Sequence, residues 1–125
     1  MELMQVAQRV TDLNRAIEFY RDVLGGDLLA RFDPPGLAFF DVGRVRLLLE
    51  AGAPSCLLYL RVDDVRTAVE CLRNRGVEIL TEPHEIFVDS EGLFGERGHA
   101  EWMAFIRDSE GNTVGLDSRH PVENG

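Results

Sequence analysis

The chain is 125 residues long and 14.0 kDa, which suits one compact domain and leaves no room for two ordinary ones. Hydrophobic residues make up 45% and charged residues 28%, a globular balance, and a domain of this size needs no disulfide or structural metal. Its 22 acidic residues against 13 basic ones leave a formal charge of −9, which repels phosphate backbones and excludes nucleic acid as the expected partner.

All 13 basic residues are arginine, so a Schiff-base lysine, covalently held pyridoxal phosphate and a P-loop are excluded. No apolar run approaches the roughly 18 residues that span a bilayer. The acidic N-terminus is no secretory signal, so a cytoplasmic protein with no membrane partner is expected. Cys56 and Cys71 form no C-x-x-C pair and fit a reducing compartment as buried hydrophobes.

In chain order, alternation predicts a first strand from Met4 to Val10. Asp12 then caps a helix carrying Leu13, Ala16, Ile17, Tyr20 and Leu24, and Gly25-Gly26 closes it. Leu37-Ala38-Phe39-Phe40 begins a strand that turns through Val42-Gly43-Arg44 into a closing strand, Val45 to Glu50. The pattern then repeats at an offset of 52 residues: Val10-Thr11-Asp12-Leu13, Ala16-Ile17 and Tyr20 return as Val62-Asp63-Asp64-Val65, Ala68-Val69 and Leu72. A strand from Leu57 to Val62 precedes the second helix, and Gly76 follows it.

Met103-Ala104-Phe105-Ile106 repeats Leu37-Ala38-Phe39-Phe40, and a turn at Asp108-Ser109-Glu110-Gly111-Asn112 leads into a last strand, Thr113 to Asp117. Two tandem βαβββ units follow, unit one at 1–52 and unit two at 53–120, with a tail at 121–125. The predicted fold is α+β: a curved mixed sheet with helices outside and a concave cleft inside, in a single domain.

The helix segment Ala16-Ile17-Glu18-Phe19-Tyr20-Arg21-Asp22-Val23-Leu24-Gly25 and the turn Asp108-Ser109-Glu110-Gly111-Asn112 carry a resemblance. With Gly36 to Asp41, Glu82-Pro83-His84 and Trp102 to Phe105, they resemble the vicinal oxygen chelate superfamily. That superfamily holds glyoxalase I, extradiol dioxygenases and bleomycin-resistance proteins, and the likeness is to a small glyoxalase-like branch. Ser109 stands where the family turn usually has proline.

The resemblance implies one metal ligand on the first and one on the last strand of each unit. Carried over, these positions fall on Gln5, on Leu48 with Glu50 two residues on, on Leu57 and on Gly115. Leucine and glycine side chains cannot coordinate a cation, so no cofactor is expected. A divalent metal held by Gln5, Glu50 and His84 is the alternative. Family members commonly pair units across chains, which implies a homodimer.

Alternation sorts the lining of the expected cleft. Gln5, Ala7 and Arg9 face it from the first strand, and Leu57, Tyr59 and Arg61 from its repeat. Arg46, Leu48 and Glu50 lie beside the former, and Thr113, Gly115 and Asp117 beside the latter. Trp102 and Phe105 are candidate stacking rings for a planar ligand. The glycine-rich, apolar stretch 85–98 is read as a lid over the cleft, or as a surface loop packed on itself.

His84 is a candidate general base oriented by Glu101, which shares a strand face with His99. A hydrogen-bonded structural histidine is the competing reading, and His120 lies in a polar tail with no role. The favoured function is metal-free binding of an apolar or aromatic compound, with a cationic one suiting the −9 charge. The alternatives are a metal-dependent glyoxalase-like lyase, isomerase or dioxygenase with an atypical ligand set, and an inert interaction module.

Overall fold

A computed structural model describes residues 1–122, so most of the expected tail, residues 123–125, lies outside the described residues. The chain divides into two compact units: Met1–Leu57 with the turn Asp108–Asn112, and Leu58–Arg107 with residues 113–122. The first unit contains β1 (Gln5–Arg9), α1 (Leu13–Glu18), β2 (Asp27–Phe32), β3 (Leu37–Val42) and β4 (Val45–Glu50). The second contains β5 (Leu58–Arg61), α2 (Val65–Asn74), β6 (Ile79–Asp89), β7 (His99–Arg107) and β8 (Thr113–Pro121).

The repeat read from the sequence is a repeat of topology. One sheet has the order β1-β4-β3-β2 and the other β5-β8-β7-β6. In each, the first strand pairs parallel with the last and the other pairs are antiparallel. The α+β class and the tandem βαβββ arrangement are as expected.

Both helices start where an aspartate satisfies an orphan amide. Asp12 accepts from Arg15 N at 3.1 Å and Asp64 from Arg66 N at 2.9 Å. Their apolar stripes then meet alternate strand residues. Ala16 and Ile17 are buried with Ala38, Phe40, Leu47 and Leu49, and α1 packs on β3 and β4. Val65, Val69 and Leu72 are buried with Ala104, Ile106, Val114 and Leu116, and α2 packs on β6, β7 and β8. Each large side chain so buried contributes about 1.5–3 kcal/mol.

Three elements differ from expectation. The first helix widens after Glu18 into a π turn, Phe19–Val23, with Leu24 N bonding Phe19 O at 3.0 Å. The wider turn lets both adjacent rings, Phe19 and Tyr20, point inward, in edge contact at 5.6 Å. The backbone then returns so closely that a Cβ at Gly26 would lie 2.8 Å from Tyr20 O.

The expected loop 85–98 is a loop only from Ser90 to Gly98, because β6 continues through Pro83 to Asp89. β6 is an edge strand with register shifts on either side of Pro83, where a residue lacking an N–H is tolerated. The last strand does not stop at Asp117; it pairs with β7 as far as Pro121, so His120 sits in a strand. Ser118 Oγ lies 2.7 Å from His120 Nε2.

Within the first unit, the turn Asp108–Asn112 is a hub of buried polar contacts. Glu110, its side chain fully buried, accepts from Thr11 N, Thr11 Oγ1 and Asp12 N at 2.7–2.9 Å, and from Arg15 Nε at 2.7 Å. Asp108 accepts from Tyr20 Oη at 2.9 Å and from Asn112 N at 2.7 Å. Asn112 Nδ2 donates to Arg9 O at 2.8 Å. Burial works against the Glu110 charge, but Arg15 and the two amides hold its carboxyl down at about 2.

That stabilisation is present above the ordinary carboxyl range and is lost as pH falls through 4.5 toward about 2. Glu110→Gln is expected to cost about 2 kcal/mol at pH 7 by denaturant unfolding. The gap from wild type should narrow as the pH is lowered toward 3, and a gap independent of pH would contradict this account.

Candidate functional site

Two contacts set the faces of the second sheet. Val65 N donates to Ser118 Oγ at 3.0 Å, and the Arg66 guanidinium lies 5.1 Å over the Trp102 ring. Ser118 and Trp102 therefore point to the α2 side, and their strand neighbours Asp117, Arg119, Glu101 and Met103 point away from it.

Register places Tyr59, Gly115 and Phe105 in one cross-strand row of that helix-free face. Arg61, Asp117, Met103 and His84 form the next row, and Arg119, Glu101 and Phe87 the one after. The face thus grades from an aromatic row into a charged one.

Arg119 organises the charged part. Its side chain, only 8% exposed, donates to Glu101 Oε2 at 2.7 Å and to Asp89 Oδ2 at 2.9 Å. Asp89 also accepts from Leu93 N at 2.8 Å and Phe94 N at 2.9 Å, and these amides with Arg119 hold its carboxyl at about 2 against burial. The segment Ser90–Gly98 is thereby pinned at its base, while Leu93 and Phe94 stand exposed and Phe94 touches Phe87 at 5.7 Å.

Glu101 and Asp117 share a hydrogen bond across β7 and β8. Burial first, then Glu101, pushes Asp117 up to about 6. Burial would raise Glu101 too, but the bond from Asp117 and the Arg119 charge bring it below its ordinary value. Of the two, Asp117 is therefore the one that takes up a proton first as pH falls. Arg61 covers the pair with a largely exposed side chain, Nε 2.7 Å from Asp117 Oδ1 and Nη2 3.6 Å from Glu101 Oε1.

His84 and Glu101, expected to work together, have different partners. His84 Nδ1 lies 3.0 Å from Glu82 O, while Glu101 is bound to Arg119 and Asp117. Among the described residues no hydrogen bond joins the two. Trp102 lines a cavity of about 190 Å³ on the α2 side with Arg66, Glu85 and His120, so it shares no face with Tyr59 and Phe105.

In the first unit Gln5 Oε1 accepts from Arg46 Nε at 3.2 Å. Leu48 is buried beside Ala7, Arg9 is exposed and Glu50 half-buried. Leu57 is exposed and precedes β5, one residue short of the expected strand. The sequence reading missed Gln8, which is fully buried with Oε1 accepting from Cys56 N at 2.8 Å; an amide amid Val6 and Val10 was the signal.

The donor set at the family's metal positions does not fit an ion. Gln5 is engaged by Arg46, and Leu48 and Leu57 have no donor. The space a Cβ would need at Gly115 is filled by Tyr59 Cδ2 at 2.8 Å and Phe105 Cε1 at 3.1 Å. Among the described residues no three His, Cys, Asp or Glu side chains gather to hold a metal, and no helix is long and apolar enough to cross a membrane.

If the ring of Tyr59 occupies the place of a residue-115 side chain, Gly115→Ala should lower stability by about 1–3 kcal/mol through overpacking. Adding Tyr59→Ala should recover most of that loss in thermal unfolding. Additive losses in the double variant would refute the coupling.

The sequence model of the glyoxalase/bleomycin resistance protein/dioxygenase superfamily matches residues 2–116. The chain is 30% identical over 136 aligned positions to lactoylglutathione lyase GLX1 of Arabidopsis thaliana, covering 95% of this chain but 44% of the plant protein, so it spans less than half of that relative. It is 29% identical to a glyoxylase-like domain-containing protein of Didymella fabae, with 87% of each chain covered. Among solved structures, TnmS3, an antibiotic binding protein from Streptomyces sp. CB03234, shares the fold with a TM-score of 0.69 at 24% identity, covering 96% of this chain and 97% of that one.

Proposed function

Because the chain belongs to the glyoxalase/bleomycin resistance protein/dioxygenase superfamily, we propose that it binds a small apolar or aromatic molecule without the family's usual metal. The observation that carries this reading is the substitution of an aromatic row for a ligand position. Gly115 has no donor, and the Tyr59 ring lies over it, 54% exposed and edge-on to Phe105 at 5.9 Å. An exposed ring braced by a second ring offers a planar compound a stacking surface worth about 0.5–1.5 kcal/mol beyond area burial.

In this reading Tyr59 and Phe105 contact the ligand, Arg61 and the carboxylates behind it form the polar end, and Met103 lies between. The fold likeness to an antibiotic binding protein supports the same reading. A cytoplasmic homodimer belongs to the proposal. Exposed apolar side chains on one edge strand of each sheet support it, Leu29 and Phe32 on β2 and Leu80, Ile86 and Val88 on β6. Light scattering of the purified chain reads that state directly.

A second reading, a glyoxalase-like lyase, isomerase or dioxygenase with an atypical ligand set, is favoured by the likeness to the plant lyase and by the carboxyl of Asp117, raised to about 6 beside Glu101. Calorimetric titration of a library of planar compounds decides between them, alongside elemental analysis of protein purified without chelator. Saturable binding that weakens about tenfold or more in Tyr59→Ala, with no stoichiometric ion, is the expected result. A stoichiometric divalent ion, or a library without a single saturable ligand, would overturn it.

A further inference from the structure

We propose that the Glu101–Asp117 pair is a receptor for an organic cation, an ammonium or amidinium carried on a planar group, which displaces Arg61. The inference rests on the small-molecule reading and names the chemistry of the ligand's polar end.

The pair is buried, at 9% and 7% side-chain exposure, and one of its acceptors is unused. Asp117 Oδ1 receives no hydrogen bond. Arg61 stands near it as a countercharge but out of line for a bond, on a side chain that is 61% exposed. A buried acceptor whose neighbour is a solvent-borne, misaligned cation is open to a better-aligned donor.

The fixed charges leave the same vacancy. Asp89, Glu101 and Asp117 are three carboxyls, and the one buried guanidinium facing them, Arg119, is taken up by Asp89 and Glu101. The next row holds the exposed Tyr59 ring, so a planar group bearing the cation stacks while its charge reaches Oδ1.

A cation that replaces the proton makes binding pH-dependent. The groups on the pair's face are Arg61 from β5, His99 from β7, Arg119 from β8, and Asp89 and His84 from β6, with α2 on the opposite face. Asp89 is held ionised by Arg119 and two amides, and Asp117 is raised to about 6, so His84 and His99 are the two groups whose replacement must be shown not to matter.

The test is calorimetry of the full chain with two matched pairs, benzamidinium against benzamide and 2-phenylethylammonium against 2-phenylethanol. At pH 7.5 each cation is expected to bind about tenfold or more tighter than its neutral partner. Below about pH 6 its affinity should fall by about tenfold per unit, with close to one proton released as judged from buffers of different ionisation heat.

Asp117→Asn should abolish both the preference and the pH dependence, and His84→Gln and His99→Gln should each keep both. Arg61→Ala should tighten cation binding at pH 7.5 and move the midpoint upward, an arm that stands even if the Asp117 variant fails to fold. Equal binding of charged and neutral partners, with both weakened by Tyr59→Ala, would overturn the cation receptor and leave the small-molecule reading intact. A midpoint that vanishes in His84→Gln or in His99→Gln, or weaker cation binding in Arg61→Ala, would also overturn it. No saturable binding by any of the four probes would count against both readings.

Discussion

A single buried guanidinium sets the character of the second sheet's helix-free face. Arg119 is charged at any pH the protein meets, and it reaches Asp89 at the base of one turn and Glu101 in the middle of the sheet. Because Arg119 keeps Glu101 ionised, the neighbouring Asp117 is left beside a negative charge in a place water barely reaches, and its carboxyl is raised to about 6. Because Arg119 and two amides keep Asp89 ionised, the segment that presents Leu93 and Phe94 is fixed at its root. Removing a partner from such a network leaves an uncompensated buried charge, which is why its members act together.

The first unit depends on a different polar centre with a similar logic. The turn Asp108–Asn112 supplies two carboxylates and an amide that saturate the end of β1, the first turn of α1 and the hydroxyl of Tyr20. The two stretches that carry the family likeness, the first helix and this turn, are joined by the bond from Tyr20 to Asp108. Ser109, where the family has proline, is accommodated because its hydroxyl donates to Glu110 Oε2 at 2.9 Å. The likeness therefore reports an architectural device, and it is compatible with different chemistry at the strand ends.

Much of the fold was legible because its signals are local. Asp12 and Asp64 announce helix starts, and the alternation of Ala38, Phe40, Leu47 and Leu49 announces strand faces. The site was legible in part. Alternation put Tyr59, Arg61, Gly115 and Asp117 on one face, which the register agrees with, but it gave no means of pairing charges across strands. Arg119 and Asp89 passed unnoticed because a strand was ended too early at Asp117 and a loop begun too early at residue 85. Both boundaries moved because β7 is nine residues long and pairs with β8 along its whole length and with β6, through register shifts, from His99 to Ile106, a non-local fact.

By itself the sequence determined the duplicated βαβββ units, the helix caps and the loss of side-chain donors at Leu57 and Gly115, since these follow from residue type and spacing. Tertiary structure alone decided which ring fills the room above Gly115, which carboxyl is made the weaker acid and which arginine is buried rather than solvated. The physical reason is range. Capping and periodicity act within a few residues, whereas desolvation and charge pairing depend on what cross-strand register brings within about 3–4 Å.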